Sequence, residues 1–294
     1  MMAVTIDDLP INGADPGLAA LTALNERLLA AVRRQAVPAV GFVNESKLYR
    51  EGEVDGRIAL LRTWLDQGLE LGNHTYSHPS LNKVGRAAFE EEVVRGETVT
   101  RLLMEPRGHK LRWFRHPFLE AGASAEDKVG FERFLSARGY RIAPVTVDAW
   151  DWYYTYRYAV ARRRGDTTLM ERVASAYLAQ CEAELDYAEA LAKRLFGRDI
   201  RHVFLMHENE LSADHFDRVA ELMKARGYRF VTLEEALADD AYRHEDRFVG
   251  NGVGWLVRWA ATDDITDVPQ SPPPPSWLES LPADRSPYDP PPSP

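Results

Sequence analysis

Two histidines four positions apart, His74 and His78, lie in Gly72-Asn73-His74-Thr75-Tyr76-Ser77-His78, directly after the apolar run Leu69-Glu70-Leu71. Imidazole is the commonest side-chain ligand for zinc-like ions. Side chains at i and i+4 of a helical turn project to the same side, so both rings can meet one ion. Spacing alone decides little, because eight histidines in 294 residues give about 0.2 such pairs by chance, a risk every short motif carries. The pair is not a zincin helix, which needs Glu directly after the first His, and position 75 is Thr. A third ligand and a base must therefore come from elsewhere.

The elements that position this pair alternate. Residues 3–6 form a strand-like run ending on Asp7-Asp8-Leu9-Pro10, and Asp15-Pro16 has the form of an N-cap followed by Pro at the first helical position. Leu18, Leu21, Leu24, Leu28 and Val32 then follow at helical spacing. Residues 37–43 read as the second strand, and Ile58, Leu61, Trp64 and Leu65 mark a helix closed by Gly68. Residues 87–104 read as one amphipathic helix. Residues 111–114 form a strand delivering Arg115-His116-Pro117-Phe118, and residues 142–147 a strand delivering Asp148-Ala149-Trp150-Asp151-Trp152. A long helical region from about 168 to 196 precedes the strand 202–206, which delivers His207. Ser212 then caps a helix to 226, and residues 228–232 form a last strand before a short helix from 233. Such alternation argues for a parallel sheet with helical crossovers, and some seven strand candidates favour a distorted (β/α) barrel over an open sheet.

Composition narrows the function. Apolar content near half with moderate charge is that of a globular protein with ample core. A net charge of −9 disfavours a nucleic-acid partner. The single cysteine, Cys181, excludes an internal disulfide and reads as a small core residue. No run is long and apolar enough for a membrane span. Asp7-Asp8 stand where a signal peptide would be, so the chain reads as cytoplasmic, or as periplasmic or extracellular if its N-terminus has been trimmed. Oligomeric state is not legible. Ser271-Pro272-Pro273-Pro274-Pro275 and Pro290-Pro291-Pro292 favour extended polyproline. The division expected is a catalytic domain over 1–262 and a Pro-rich C-terminal strap over 263–294, with Trp277 and Leu278 apolar enough to dock on the body.

Position is the strongest argument for one composite site. Asp7 and Asp8, His74, Arg115, Asp148 and Asp151, and His207 each fall just past the C-terminal end of a strand candidate, where parallel α/β barrels assemble their active sites. Asp8 with His74 and His78 makes a two-His, one-carboxylate set for a divalent metal that acidifies water and polarises a carbonyl. Asp7 can take the proton, with Arg115 keeping it ionised. His207 can protonate the leaving group, oriented by Asp151. Singly, each has a plainer account: Asp7-Asp8 as a turn or helix cap, Arg115 as a surface ion pair, His207 as a core histidine. The glycine-rich Gly250-Asn251-Gly252-Val253-Gly254 joins no clear strand to a helix, which argues against a phosphate site.

The set resembles the polysaccharide deacetylase family, carbohydrate esterase family 4. Thr5-Ile6-Asp7-Asp8-Leu9-Pro10 matches its first motif and His74-Thr75-Tyr76-Ser77-His78 its paired histidines. Arg115-His116-Pro117-Phe118, Asp148-Ala149-Trp150-Asp151-Trp152 and Leu205-Met206-His207 resemble the third to fifth, in the family's order. The resemblance implies removal of acetyl from an acetylated carbohydrate, usually an N-acetyl sugar. It implies Asp7 as base, Asp8, His74 and His78 as ligands of one divalent metal (zinc first, then cobalt, nickel or manganese), Arg115 and Asp151 as orienting groups, and His207 as acid. It further implies an oxyanion donor at the Phe118 N–H and a substrate pocket involving Pro117, Trp152 and Leu205. Leu9 and Ile6 stand where the family usually has Gly and Phe, and Phe118 where Tyr is commoner. Hydrolysis of a non-sugar amide or O-acetyl ester, and a catalytically silent carbohydrate-binding role, are the competing readings.

Overall fold

Strand β1, Met2–Leu9, is buried along its whole length, as a parallel strand covered on both faces must be. Helix α1 (Leu18–Arg34), β2 (Val40–Val43), α2 (Val54–Asp66) and β3 (Glu70–Asn73) follow. Three short helices, α3 (Leu81–Val84), α4 (Arg86–Arg95) and α5 (Thr98–Met104), lead to β4 (Trp113–Phe114), α6 (Ala125–Ala137) and β5 (Arg141–Ile142). Then come β6 (Val147–Asp148), α7 (Asp151–Arg163), α8 (Thr167–Phe196), β7 (His202–His207), α9 (Glu210–Ala225), α10 (Leu233–Leu237) and α11 (Trp255–Thr262). The computed structural model describes residues 1–284.

The sheet runs in the order β5-β4-β3-β2-β1-β7-β6, and every pairing is parallel. Its two outer strands, β5 and β6, are separated by a short run of chain that could span at most ~18 Å fully extended. The sheet must therefore curl until its edges approach. Ala143 N–H donates to the Phe114 carbonyl on one edge at 2.8 Å and Thr146 N–H to the Val203 carbonyl on the other at 3.0 Å. This is the distorted (β/α) barrel that the alternation implied. The single strand expected over 142–147 is instead two strands on opposite edges, because the run changes partners midway.

Register keeps one rim level. Asp7 pairs with His207 and Val43 with Asn73. His74 N–H then donates to Val43 O and Arg115 N–H to Asn73 O. The residues just past each strand therefore open onto the same end of the barrel.

Several expected elements differ in detail. The helix expected over 87–104 is broken into α4 and α5 at Gly96, against which the histidine segment packs backbone to backbone. A Cβ there would lie 2.4 Å from the Thr75 carbonyl carbon and 2.6 Å from the Tyr76 nitrogen. Asp15 does not cap α1. Gly17 precedes that helix, and the Asp15 carboxylate pairs with Arg57 at 2.7 Å. Asn209, not Ser212, caps α9. Residues 228–232 make only a bridge, Met2 to Phe230, and Thr232 instead caps α10 with Glu235 in a reciprocal capping box. Cys181 is fully buried, and burial pushes its thiol up.

The C-terminal segment runs across α7 and α8. Arg157 donates to the Leu278 carbonyl at 2.8 Å and Gln180 to the Pro272 carbonyl at 2.6 Å. Leu278 is fully buried, and the Arg172 guanidinium lies 3.9 Å over the Trp277 ring. Pro290-Pro291-Pro292 lie outside the described residues.

Gly96→Ala should destabilise the fold by about 1–3 kcal/mol, the cost of forcing atoms into a packed contact, because the atoms it meets are backbone. Urea denaturation reads this directly. A shift under about 0.5 kcal/mol would mean that α4 and the histidine segment separate freely.

Candidate active site

Consecutive strand residues point to opposite faces, yet Asp7 and Asp8 line one cavity. The register between β1 and β2 shifts between Ile6 and Leu9, and Asp8 has φ 70. This irregularity turns the second carboxylate back toward the first, as bulges beside active sites do. Asp7 and Asp8 are 2% and 1% exposed. Arg115, itself fully buried, reaches Asp7 Oδ2 at 3.4 Å and is held by Thr5 Oγ1 at 2.8 Å and the Ala143 carbonyl at 2.9 Å. Burial raises the Asp7 carboxyl to about 6 despite Arg115. Burial opposes the charge of Asp8 too, but Lys47, His78 and His74 hold that carboxyl well below its usual range.

The histidines do not use a helical turn. Residues 74–78 form an irregular bend in which Thr75 has φ 68 and His78 φ 59, closed by the His78 N–H donating to Thr75 Oγ1 at 3.1 Å. Asn44 braces the bend by donating to the His74 carbonyl at 2.6 Å. His74 Nδ1 donates to the Arg115 carbonyl at 2.8 Å, which leaves Nε2 as the acceptor facing the carboxylates. The His74 and His78 Nε2 atoms lie 4.0 and 3.8 Å from Asp8 Oδ1. Both separations are below twice a metal–ligand bond of about 2.1 Å, so an ion on Asp8 Oδ1 can reach either ring, and all three ligand atoms lie within 4.8 Å of one another. Burial depresses both imidazoles, His78 to about 4, and the neutral ring is the metal-binding form. The carboxylate atom Asp7 Oδ1, buried beside this set, has no hydrogen-bond partner among the described residues. These donors fit a divalent ion of the zinc type.

His207, the register partner of Asp7, lines the same cavity. Its Nδ1 donates to Asp151 Oδ1 at 2.8 Å, so Nε2 is the free ring position. Asp151 is fully buried and accepts further bonds from the His207 N–H, Asn209 Nδ2 and Ser212 Oγ at 2.9, 2.7 and 3.0 Å. Four donors explain why this carboxylate stays fixed. Burial would lower the His207 imidazole, but the Asp151 charge and hydrogen bond outweigh it and raise it to about 9.

The cavity, about 640 Å³, is also lined by Phe118, Trp150, Trp152 and Leu205. Phe118 has φ 55 and sets its ring 4.5 Å from that of His78. Trp152 stacks on Trp150 at 5.8 Å. Pro117 is buried and does not line the cavity, as its neighbours His116 and Phe118 do.

Four contributions were not read from the sequence. Lys47 donates to Asp8 Oδ1 at 3.1 Å and Asn12 to Asp8 Oδ2 at 2.7 Å. Lys47 and Asn44 follow β2, a strand end for which no polar residue was singled out, so the same positional argument could have found them. The glycine loop supplies Gly252 and Gly254, and α8 supplies Glu184 and Tyr187. Nothing in the amphipathic pattern of α8 marks those two residues.

A polysaccharide deacetylase family model matches residues 1–131. A peptidoglycan-N-acetylglucosamine deacetylase of Listeria monocytogenes is 22% identical over 235 residues, 80% of this chain. A chitin deacetylase of Colletotrichum lindemuthianum is 25% identical over 230, covering 76% of this chain and 81% of that protein. The chain is similar to polysaccharide deacetylases in its N-terminal part and in fold. It spans only 38% of the length of the Listeria enzyme. In fold, the solved chitin deacetylase from Colletotrichum lindemuthianum matches with TM-score 0.55 at 21% identity, over 81% of this chain and 87% of that one. A carbohydrate esterase family 4 pseudoenzyme from Bacillus anthracis matches with TM-score 0.53 at 18% identity, over 81% and 65%. This fold is therefore also the fold of a pseudoenzyme, and the side chains must carry any claim of catalysis for this chain.

The raised His207 value has a sign that can be tested. A group favoured as its charged form in the fold stabilises it fully below the unfolded value of 6.5, and this is lost as pH rises through about 9. The component is up to ~3 kcal/mol. Asp151→Asn should flatten the decline in unfolding free energy of metal-free protein over that interval. Urea denaturation at a series of pH values reads it, and parallel curves for the two proteins would show that Asp151 does not hold the proton.

Proposed function

We propose that this protein is a metal-dependent hydrolase that removes the acetyl group from an N-acetylated sugar of the N-acetylglucosamine type. This is cleavage of a carbon–nitrogen bond outside peptides. The observation that supports it most is the joint presence, in one cavity, of the Asp8, His74 and His78 donor set, an adjacent carboxylate on an arginine, and a histidine braced by a buried aspartate. A carbohydrate binder needs no such combination. The similarity to deacetylases of peptidoglycan and chitin supports the substrate class. We place the catalytic unit in residues 1–262, with 263–294 as an extension.

In this reading Asp8, His74 and His78 hold one divalent ion, zinc first, with cobalt, nickel or manganese as substitutes. Such an ion supplies Lewis-acid polarisation of the acetyl carbonyl and acidifies water. Asp7, through its unpartnered Oδ1, accepts the proton of the attacking water, and Arg115 keeps that carboxylate oriented. The Phe118 N–H takes part in stabilising the oxyanion. His207 Nε2 delivers a proton to the departing nitrogen, and Asp151 fixes the ring for that transfer. Trp152 and Leu205 contact the acetyl-bearing end of the substrate.

Purified protein should carry about one zinc-like ion per chain by elemental analysis, and His74→Ala or His78→Ala should weaken its retention. Asp7→Asn keeps shape and removes the acceptor. Turnover should fall by about 10²–10⁴, the usual worth of a general base, with the metal retained. Loss of metal in that variant would make Asp7 a ligand.

The acid can be separated from the base by leaving group. An amine departs poorly unless protonated, whereas nitrophenolate leaves unaided. His207→Ala should therefore depress acetate release from N-acetylated sugar far more than from 4-nitrophenyl acetate, while Asp7→Asn depresses both. Equal losses on both substrates for His207→Ala would remove it from the acid role. No acetate release by wild type from N-acetylglucosamine oligomers, peptidoglycan, acetylxylan or simple amides would favour the silent binder.

A further inference from the structure

The cavity wall contributed by α8 belongs to none of the rim motifs, and it carries a carboxylate that the reaction above does not use. Glu184 is 3% exposed and lines the cavity together with Ser271 and Tyr187. Gln180 Nε2 donates to Glu184 Oε1 at 3.0 Å, and Ser271 Oγ donates to the same oxygen. An ionised carboxylate has about four acceptor sites, so two donors on Oε1 fix its position and leave capacity for a further donor. Burial raises its carboxyl, and those donors oppose the shift.

The surroundings say what that further donor is. The Trp150 and Trp152 rings stack at 5.8 Å and 19°, giving a flat apolar platform beside the carboxylate. A sugar ring has apolar C–H faces and hydroxyl donors on its edge. An aromatic face with one well-placed acceptor matches both, in the way small-molecule sites combine apolar walls with few polar groups. The cavity is also walled from outside the barrel. Gly250 N–H donates to the Gly122 carbonyl at 3.0 Å, Asn82 Nδ2 donates to the Gly250 carbonyl at 2.8 Å, and Gly252 lies so close to Phe118 that a Cβ would meet its carbonyl oxygen at 1.6 Å. That loop is pinned across the rim, and a volume of about 640 Å³ suits a compact ligand.

We propose that Glu184 is a specificity-determining residue that accepts a hydrogen bond from a hydroxyl of the substrate, and that the substrate is a short acetylated saccharide and not the interior of a long polymer. This rests on the deacetylase reading and deepens it. Wild type, Glu184→Ala and Glu184→Gln would be assayed on di-N-acetylchitobiose, colloidal chitin and 4-nitrophenyl acetate, with thermal melting and metal content measured on each. The disaccharide should be hydrolysed at least about 100-fold faster per acetyl group than the polymer. Glu184→Ala should raise KM for the disaccharide about ten-fold, on the order of one lost hydrogen bond to a charged group, with kcat little changed. KM for the ester, which lacks hydroxyls, should move much less, and Glu184→Gln should fall between. An unchanged disaccharide KM, parallel changes on sugar and ester, or polymer hydrolysed as fast as disaccharide would overturn the proposal. If Glu184→Ala does not fold, the same KM comparison on Glu184→Gln decides. Wild type that releases acetate from no sugar fails at the earlier step, a distinct result that removes both readings.

Discussion

Two adjacent carboxylates buried at the end of one strand are the constraint on which the rest of this molecule depends. Removing a carboxylate from water costs several kcal/mol unless partners compensate. Asp7 and Asp8 would also repel one another at the separation a bulged strand end imposes. Each therefore has its own cation, Arg115 for Asp7 and Lys47 for Asp8. Those cations come from just past β4 and from beyond β2, the two strands that flank β3. Taking either cation away would leave a buried charge uncompensated, a loss of about 3–5 kcal/mol in comparable pairs. The rim is thus held level by electrostatics as well as by register.

The two carboxylates receive different surroundings, and the difference is chemical. Asp8 is engaged on both oxygens, by Lys47 and by Asn12, and stays ionised. Asp7 keeps one oxygen without a partner, and burial moves its carboxyl up to about 6. A group meant to exchange a proton needs a value near the working pH, and a group meant to hold a cation needs to remain charged. In the proposed mechanism, adjacent residues of one type are divided between these tasks by what each side chain touches.

Much of this was legible in sequence because the barrel reports its rim through position. The phase of Asp7, His74, Arg115, Asp148 and His207 relative to the strand candidates located one end of the fold correctly, even where strand limits were off by several residues. What sequence could not show was the left-handed backbone. The spacing of His74 and His78 suggested a helical turn, whereas the chain bends through positive φ at Thr75 and His78. The adjacency of Asp7 and Asp8 would by alternation have put them on opposite faces, and only the irregularity at Asp8 reunites them. Left-handed non-glycine residues cost on the order of 1 kcal/mol each and persist where their surroundings determine them. No residue type announces them. The split of 142–147 into two edges was hidden for a related reason, since a run of strand formers gives no sign of which neighbours it will pair with.

The remaining illegible part is the cavity wall that the strands do not supply. The groups that can move protons or hold an ion come from the level rim of the sheet, where register leaves little latitude. Glu184 and Tyr187 come from a thirty-residue helix, and Ser271 and Gly252 from the chain beyond β7. These elements meet the cavity through packing between helices and loops, whose partners no periodicity encodes. Deleting a rim group would leave a cavity without chemistry, whereas reshaping the outer wall would leave the chemistry and change what reaches it. In the proposed function, reaction type therefore follows from the strands, and substrate choice from the segments that lie against them.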